Sequence, residues 1–187
     1  VGAALASGVN LLIYGTTISA FEKTNNVVRA TASGLASAKA FGEYYLKFKE
    51  IGLSFLYLAS FRMQYSLDQR GCSDPVTAGI AFLVETLGTG ILYFVIFSLT
   101  NEKNSTSKGG YVPLLIGSTV ASLIATLAPL TQAGFNPARD FGPRIVAFLA
   151  GWKTVAFQGW WVYLLGPIVG AIAGATLADK VLHADDD

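Results

Sequence analysis

Charge is what this sequence has least of. Of its 187 residues, 13% are Asp, Glu, Lys or Arg, while 52% are hydrophobic. A soluble domain carries roughly a quarter charged residues, so the composition predicts a protein of the lipid bilayer. The formal net charge of +1 leaves no basic face of the kind that holds nucleic acid. There is one cysteine, Cys72, and one histidine, His183. Neither an internal disulfide nor a Cys/His metal cluster can be drawn from them. No nucleophile–base constellation stands out, so no enzyme, cofactor or metal is expected. The chain opens at Val1 inside an apolar run, without methionine and without a basic leader. No signal peptide is predicted, and the beginning of the chain is expected to be missing.

What is present is a set of long apolar segments. Val1–Phe21, Val76–Leu99, Tyr111–Leu130 and Gly159–Ala178 each approach or exceed the ~20 residues that a membrane helix requires. In the first, Gly2, Ala3, Ala6 and Ser7 suit close helix contact, and Asn10 is expected to make a polar contact inside the bundle. The second carries Glu85 near its middle. A carboxylate at that depth is expensive, and a structural role and a functional one are both open. The last has Gly166, Gly170 and Gly174 at four-residue spacing, which leaves one face flat enough for backbone-to-backbone packing. Trp160, Trp161 and Tyr163 read as one membrane interface, Lys180 and His183 as the other. Asp185–Asp187 read as a solvated end.

Between the first two segments runs a long connection, Glu22–Pro75. Its first part, through Arg29 and on to Phe41–Tyr45, reads as an ordered surface loop. Its second part, 46–73, sets basic residues around the apolar core Ile51–Phe61, too short to span. It is either an amphipathic helix on the membrane surface or foreign sequence. Seven Lys/Arg in the whole connection, against Lys103 and Lys108 in the short turn Asn101–Gly110, would place the connection in the cytoplasm by the positive-inside bias.

Polar chemistry is concentrated in Asn136-Pro137-Ala138-Arg139-Asp140-Phe141-Gly142-Pro143-Arg144. Asn136 is a good N-cap, Pro137 fits the first helical position, and Asp140 falls in the first turn, where the helix dipole favours an anion. A short helix is predicted from here to about Leu149, ended by Gly151. Lipid does not tolerate such a helix start unless it lines a cavity.

This stretch, with Gly134-Phe135 before it, resembles the second signature of the aquaporin and glycerol-facilitator family. The resemblance takes in Phe21-Glu22-Lys23-Thr24, Arg29, the Glu85 helix, Pro113–Gly117, Ala128–Thr131 and Gly166–Ala171, and covers nearly the whole chain except Leu46–Ser73. It implies an all-α membrane protein with the aquaporin-like fold of two inverted repeats. Residues 1–187 would form one partial transmembrane domain: the third helix of the first repeat, then the complete second repeat with its Asn-Pro-Ala half-helix. Residues 46–73 would be an insertion. The family orientation puts the long connection outside and the C-terminus in the cytoplasm, against the Lys/Arg count, and is preferred because most of the excess lies in 46–73.

The resemblance implies a passive channel for glycerol, water and other small neutral solutes, assembled as a homotetramer in the plasma membrane. Asn136 would supply an amide donor, and the half-helix dipole would repel cations and protons. Carbonyls of Thr131, Gln132, Ala133 and Gly134 would form an acceptor ladder, held in direction by hydrogen bonds from their backbone to Glu85. Pro137 and Ala138 support the turn. Arg139 matches the filter arginine, with Ile124 and Ala133 at two further filter positions. Asp140 and Arg144, spaced for an ion pair, resemble the glycerol-conducting branch. Tyr163-Leu164 departs from the pattern by mixing the two branches. The alternatives are a water-selective channel and a truncated, non-conducting membrane subunit.

Overall fold

The computed structural model describes residues 1–45, 76–104 and 110–182. The stretch 46–73, residues 105–109 of the 101–110 turn, His183 and the acidic tail lie outside the described residues. Among the described residues six α-helices follow in order: α1 Gly2–Thr24, α2 Leu35–Ala38, α3 Ala78–Thr100, α4 Val112–Thr131, α5 Pro137–Ala147 and α6 Trp160–Leu182. The described residues contain no strand. Helices α1, α3, α4 and α6 are long and apolar enough to cross a membrane. Helix α5 has 11 residues, or ~16 Å at 1.5 Å per residue, about half of a bilayer's hydrocarbon core.

Each boundary has a local cause. Thr77 caps α3 by accepting from the Ile80 N–H at 3.2 Å. Asn136, in extended backbone, caps α5 through Oδ1, which accepts from Ala138 and Arg139 N–H at 3.0 and 3.2 Å. Past Ala147 the chain widens into a single π turn, Phe148–Trp152, and Gly151 at φ 108° breaks it. Only glycine adopts that angle without strain. A 3-10 turn, Lys153–Phe157, then leads toward α6.

Helices α3 and α6 make the closest contact, and the three glycines of α6 explain it. A methyl group on Gly170 would overlap the Thr86 carbonyl, and one on Gly174 would overlap that of Gly90. Gly166 faces Glu85 Cβ. Helix α1 meets α5 in the same manner, with Gly142 against Ala3 and Ala4.

Three expectations need correction. The connection after α1 is ordered, but its end is no surface loop: Ala38, Phe41 and Tyr44 are buried. Phe41 packs at 5.1 Å, ring to ring, on the buried Trp152, whose indole N–H donates to Ser37 Oγ at 2.9 Å. Arg29, paired with Glu22 at 2.9 Å, also donates to the Ala150 carbonyl and lies 4.1 Å over the Trp152 ring. A polar-looking segment is thus drawn inward because it closes over the end of α5. Tyr163 is not an interfacial aromatic either. It is buried, and its hydroxyl donates to the Thr131 carbonyl at 3.0 Å, while Trp160 and Trp161 remain exposed. Asn10 is exposed rather than bonded within the bundle. It shares a cleft of about 210 Å³ with Ser7, Phe41 and Arg139.

Candidate functional site

Between α4 and α5 the backbone leaves regular structure for five residues. Gln132, Ala133 and Phe135 take φ of 65°, 57° and 52°, the left-handed region that costs a residue with a Cβ roughly 1–2 kcal/mol. Such a run persists only when its surroundings hold it, and the restraints are visible. Glu85 is fully buried on α3. Its two carboxylate oxygens accept from Gly134 N–H at 3.1 Å and Phe135 N–H at 2.8 Å. Gln132 N–H donates to the Ala128 carbonyl at 2.8 Å, and Ala133 N–H to Thr131 Oγ1 at 3.3 Å.

With the N–H groups taken on one side, the carbonyls face elsewhere. Those of Ala133 and Gly134 accept from Arg139 Nη1 at 3.2 and 3.3 Å. Each carbonyl keeps a second lone pair. Thr131 stands apart from the expected ladder, since it is fully buried and its carbonyl is bound by Tyr163. The Ala133 side chain, expected at the constriction, is also fully buried, in a cluster with Leu123, Ala128 and Phe135. Its left-handed backbone offers the carbonyl to Arg139 and puts the methyl in the core. Ile124 packs half-buried against the same cluster. Asn136, Ala138 and Arg139 are exposed, and Pro137 is half-buried. The side-chain oxygen of Asn136 is spent on the cap.

Behind these exposed groups is a buried electrostatic anchor. Asp140 Oδ2 accepts from Arg144 Nε at 2.6 Å, with both side chains excluded from solvent. Arg144 also donates to the carbonyls of Ala156 and Gln158, at 2.8 and 3.1 Å, and to that of Glu43. Its guanidinium carbon lies 4.3 Å over the Tyr44 ring. A buried charge needs this degree of satisfaction to persist. Asp140 Oδ1 accepts from the Glu43 N–H at 2.7 Å, and Gln132 Oε1 accepts from the Tyr44 N–H at 2.8 Å. The connection after α1 is therefore tied by its backbone onto the half-helix.

That tie delivers a residue the sequence did not single out. The Glu43 carboxylate pairs with Arg139 Nη2, so the exposed arginine has an acidic partner 96 residues away in the chain. Burial is the main cause that pushes the Glu43 carboxyl up from 4.5 to about 7, against the pull of Arg139 and with a push from Asp140 and Glu85. Glu43 stands between Gly42 and two tyrosines, and no local pattern announces its role. Among the described residues no group of His, Cys, Asp and Glu is placed to hold a metal ion.

The family model described as Major intrinsic protein matches residues 49–177, a span that takes in most of 46–73. A glycerol uptake facilitator protein of Pseudomonas aeruginosa is 33% identical over 180 residues, covering 93% of this chain and 55% of that protein. Its namesake in Escherichia coli K12 is 47% identical over 108 residues, 54% of this chain and 38% of its own length. A propanediol uptake facilitator of Citrobacter freundii is 34% identical over 172 residues, 89% of this chain and 54% of its own. The chain thus spans between a third and three-fifths of the length of these relatives. All three are named as facilitators and none as an enzyme.

Proposed function

We propose that this chain, which belongs to the major intrinsic protein family, carries the second half of a passive channel for glycerol and other small neutral solutes, with water. The observation that supports this most directly is the placement of Asn136 and Arg139. Both are exposed at the start of a half-length helix, beside carbonyls that a buried carboxylate holds in an otherwise unfavourable backbone. Such an array replaces the hydrogen bonds that a hydroxylated solute loses on leaving water. Asn136 and Arg139 donate, and the second lone pairs of Ala133 and Gly134 accept. The guanidinium and the positive end of α5 raise the cost of passing a cation or proton.

The names of the relatives support a polyol as the solute, since two carry glycerol and one propanediol. Asp140 and Arg144 serve the channel as its frame: they fix the half-helix to the connection and leave Arg139 as the group that meets solute. The remaining pore wall would come from the part of the relatives that this chain does not span. Four such units would form a homotetramer in the plasma membrane, and residues 46–73 would be dispensable for transport.

Stopped-flow light scattering on vesicles reconstituted with the protein tests the reading. Glycerol flux well above that of empty vesicles is expected. Water flux with no glycerol flux would leave a water-selective channel instead.

A further inference from the structure

Arg139 is not a bare cation at the site. Nη1 is spent on two backbone carbonyls and Nη2 on the Glu43 carboxylate. The arginine side chain is half exposed, whereas that of its partner is 13% exposed, so solute meets the pair from the arginine side. Glu43 has little freedom to leave. Its N–H is held by Asp140, its carbonyl by Arg144, and the next residue by Gln132.

From this geometry we propose that Glu43 is a specificity-determining residue of the channel: its carboxylate withdraws one Nη2 N–H of Arg139 from passing polyol, and its protonation returns it. The proposal rests on the channel reading above and adds pH as a variable to it. Arg139 stays anchored through Nη1 in either state, so the donor is released without loss of the guanidinium from the site.

The groups that face Glu43 come from three elements. Helix α5 contributes Arg139, Asp140 and Arg144, α3 contributes Glu85, and α6 contributes Tyr163. Tyr44 lies beside it in the chain. Gly134 is where the two carboxylates converge: a methyl group there would lie 3.3 Å from Glu85 Oε2 and 3.5 Å from Glu43 Cγ. Two acids either side of one glycine, each short of water, resist being charged together. Of the two, Glu85 accepts from two backbone N–H groups, while Glu43 has one half-exposed guanidinium. Burial pushes the Glu43 carboxyl up to about 7, against the pull of Arg139.

The balance is simple. One proton binds the Glu43 carboxylate, the ion pair with Arg139 is lost, and the site gains one unit of positive charge. Polyol gains a donor, and cations meet a higher barrier.

The experiment compares wild-type and Glu43→Gln vesicles. Wild-type glycerol flux should rise about three- to tenfold as pH falls from roughly 8 to roughly 6, with water flux changing less. Glu43→Gln should be independent of pH and match the acid end of the wild-type curve. Persistence of the wild-type pH profile in Glu43→Gln overturns the proposal, as does wild-type flux that falls with acid. Infrared titration of carboxyl groups in the same samples gives a second readout that does not depend on flux. A carboxyl band with a near-neutral midpoint, absent from Glu43→Gln, supports the pair even if neither sample conducts glycerol. In that case it is the channel reading that fails. The same band retained in the variant overturns the proposal.

Discussion

Arg144 Nε meets Asp140 Oδ2 at 2.6 Å one helical turn away, and neither side chain reaches solvent. The pair stands at the junction of three segments, because Arg144 also holds the carbonyls of Glu43, Ala156 and Gln158. Asp140→Ala should destabilise the protein by about 3–5 kcal/mol, the usual result of leaving a buried charge without its partner. Replacing both, Asp140→Ala with Arg144→Leu, should cost less than the sum of the single changes, since the two share one network. Thermal denaturation of the four proteins in detergent measures both effects. Additive losses would show that the pair is not coupled.

Glu85 offers a graded series. Glu85→Gln keeps one acceptor oxygen and should weaken the hold on Gly134 and Phe135 by roughly 1–2 kcal/mol. Glu85→Leu orphans both N–H groups at about 1–3 kcal/mol each. Thermal stability and glycerol flux should fall in the order wild type, Gln, Leu. A carboxylate that relayed protons would instead make Gln as damaging as Leu and make flux depend on a proton gradient, so the measurement is repeated with and without one.

Gly174→Ala asks α6 and α3 to separate at the point where the new methyl meets the Gly90 carbonyl. Backbone cannot move aside as a side chain can, and overpacking of this type costs typically about 1–3 kcal/mol. A loss of that size is expected from thermal unfolding. Gly117, with open space where its Cβ would go, is the control, and Gly117→Ala should be neutral or slightly stabilising.

The folded-state carboxyl of Glu43 stands at about 7, above its ordinary 4.5. Between those values the folded protein holds a proton that the unfolded chain has released. Stability contributed by this group is therefore present at low pH and declines as pH rises through that window. The difference in melting temperature between Glu43→Gln and wild type should grow in favour of the variant from roughly pH 4 to roughly pH 8. A difference that does not change with pH would place the Glu43 carboxyl in its ordinary range.

What could be read in advance follows from the distance between partners. The Asn136 cap, the break at Gly151, the Asp140–Arg144 pair and the flat face of Gly166, Gly170 and Gly174 are all local in sequence or repeat at helical spacing. The hydrogen bonds from Gly134 and Phe135 to Glu85 join residues 49 and 50 apart, and only the family resemblance pointed to them. Glu43 was silent because its partners lie 96 to 101 residues on. Phe41 and Tyr44 were misread as surface for the same reason: the backbone groups beside them bind side chains of α5 and of the strip before it instead of facing water. Tyr163 followed two tryptophans into an interfacial assignment, although its hydroxyl has a partner, the Thr131 carbonyl, inside the protein. Ala133 was placed at the constriction by the family resemblance, and its left-handed backbone turns its methyl into the core.

The left-handed run at Gln132, Ala133 and Phe135 has a consequence for the order of assembly. Nothing within those residues favours their conformation; the clamp that imposes it sits on α3, and the arginine that reads it sits on α5. The strip cannot act as a nucleus, because its shape comes from helices that must already have met. Helices α3 and α6 can pair through their glycines without it, whereas the strip waits for Glu85 to arrive. A nascent chain would thus insert and pack first and fix the carbonyls of this strip last. Early partly folded forms would have their helices paired and the strip still unshaped.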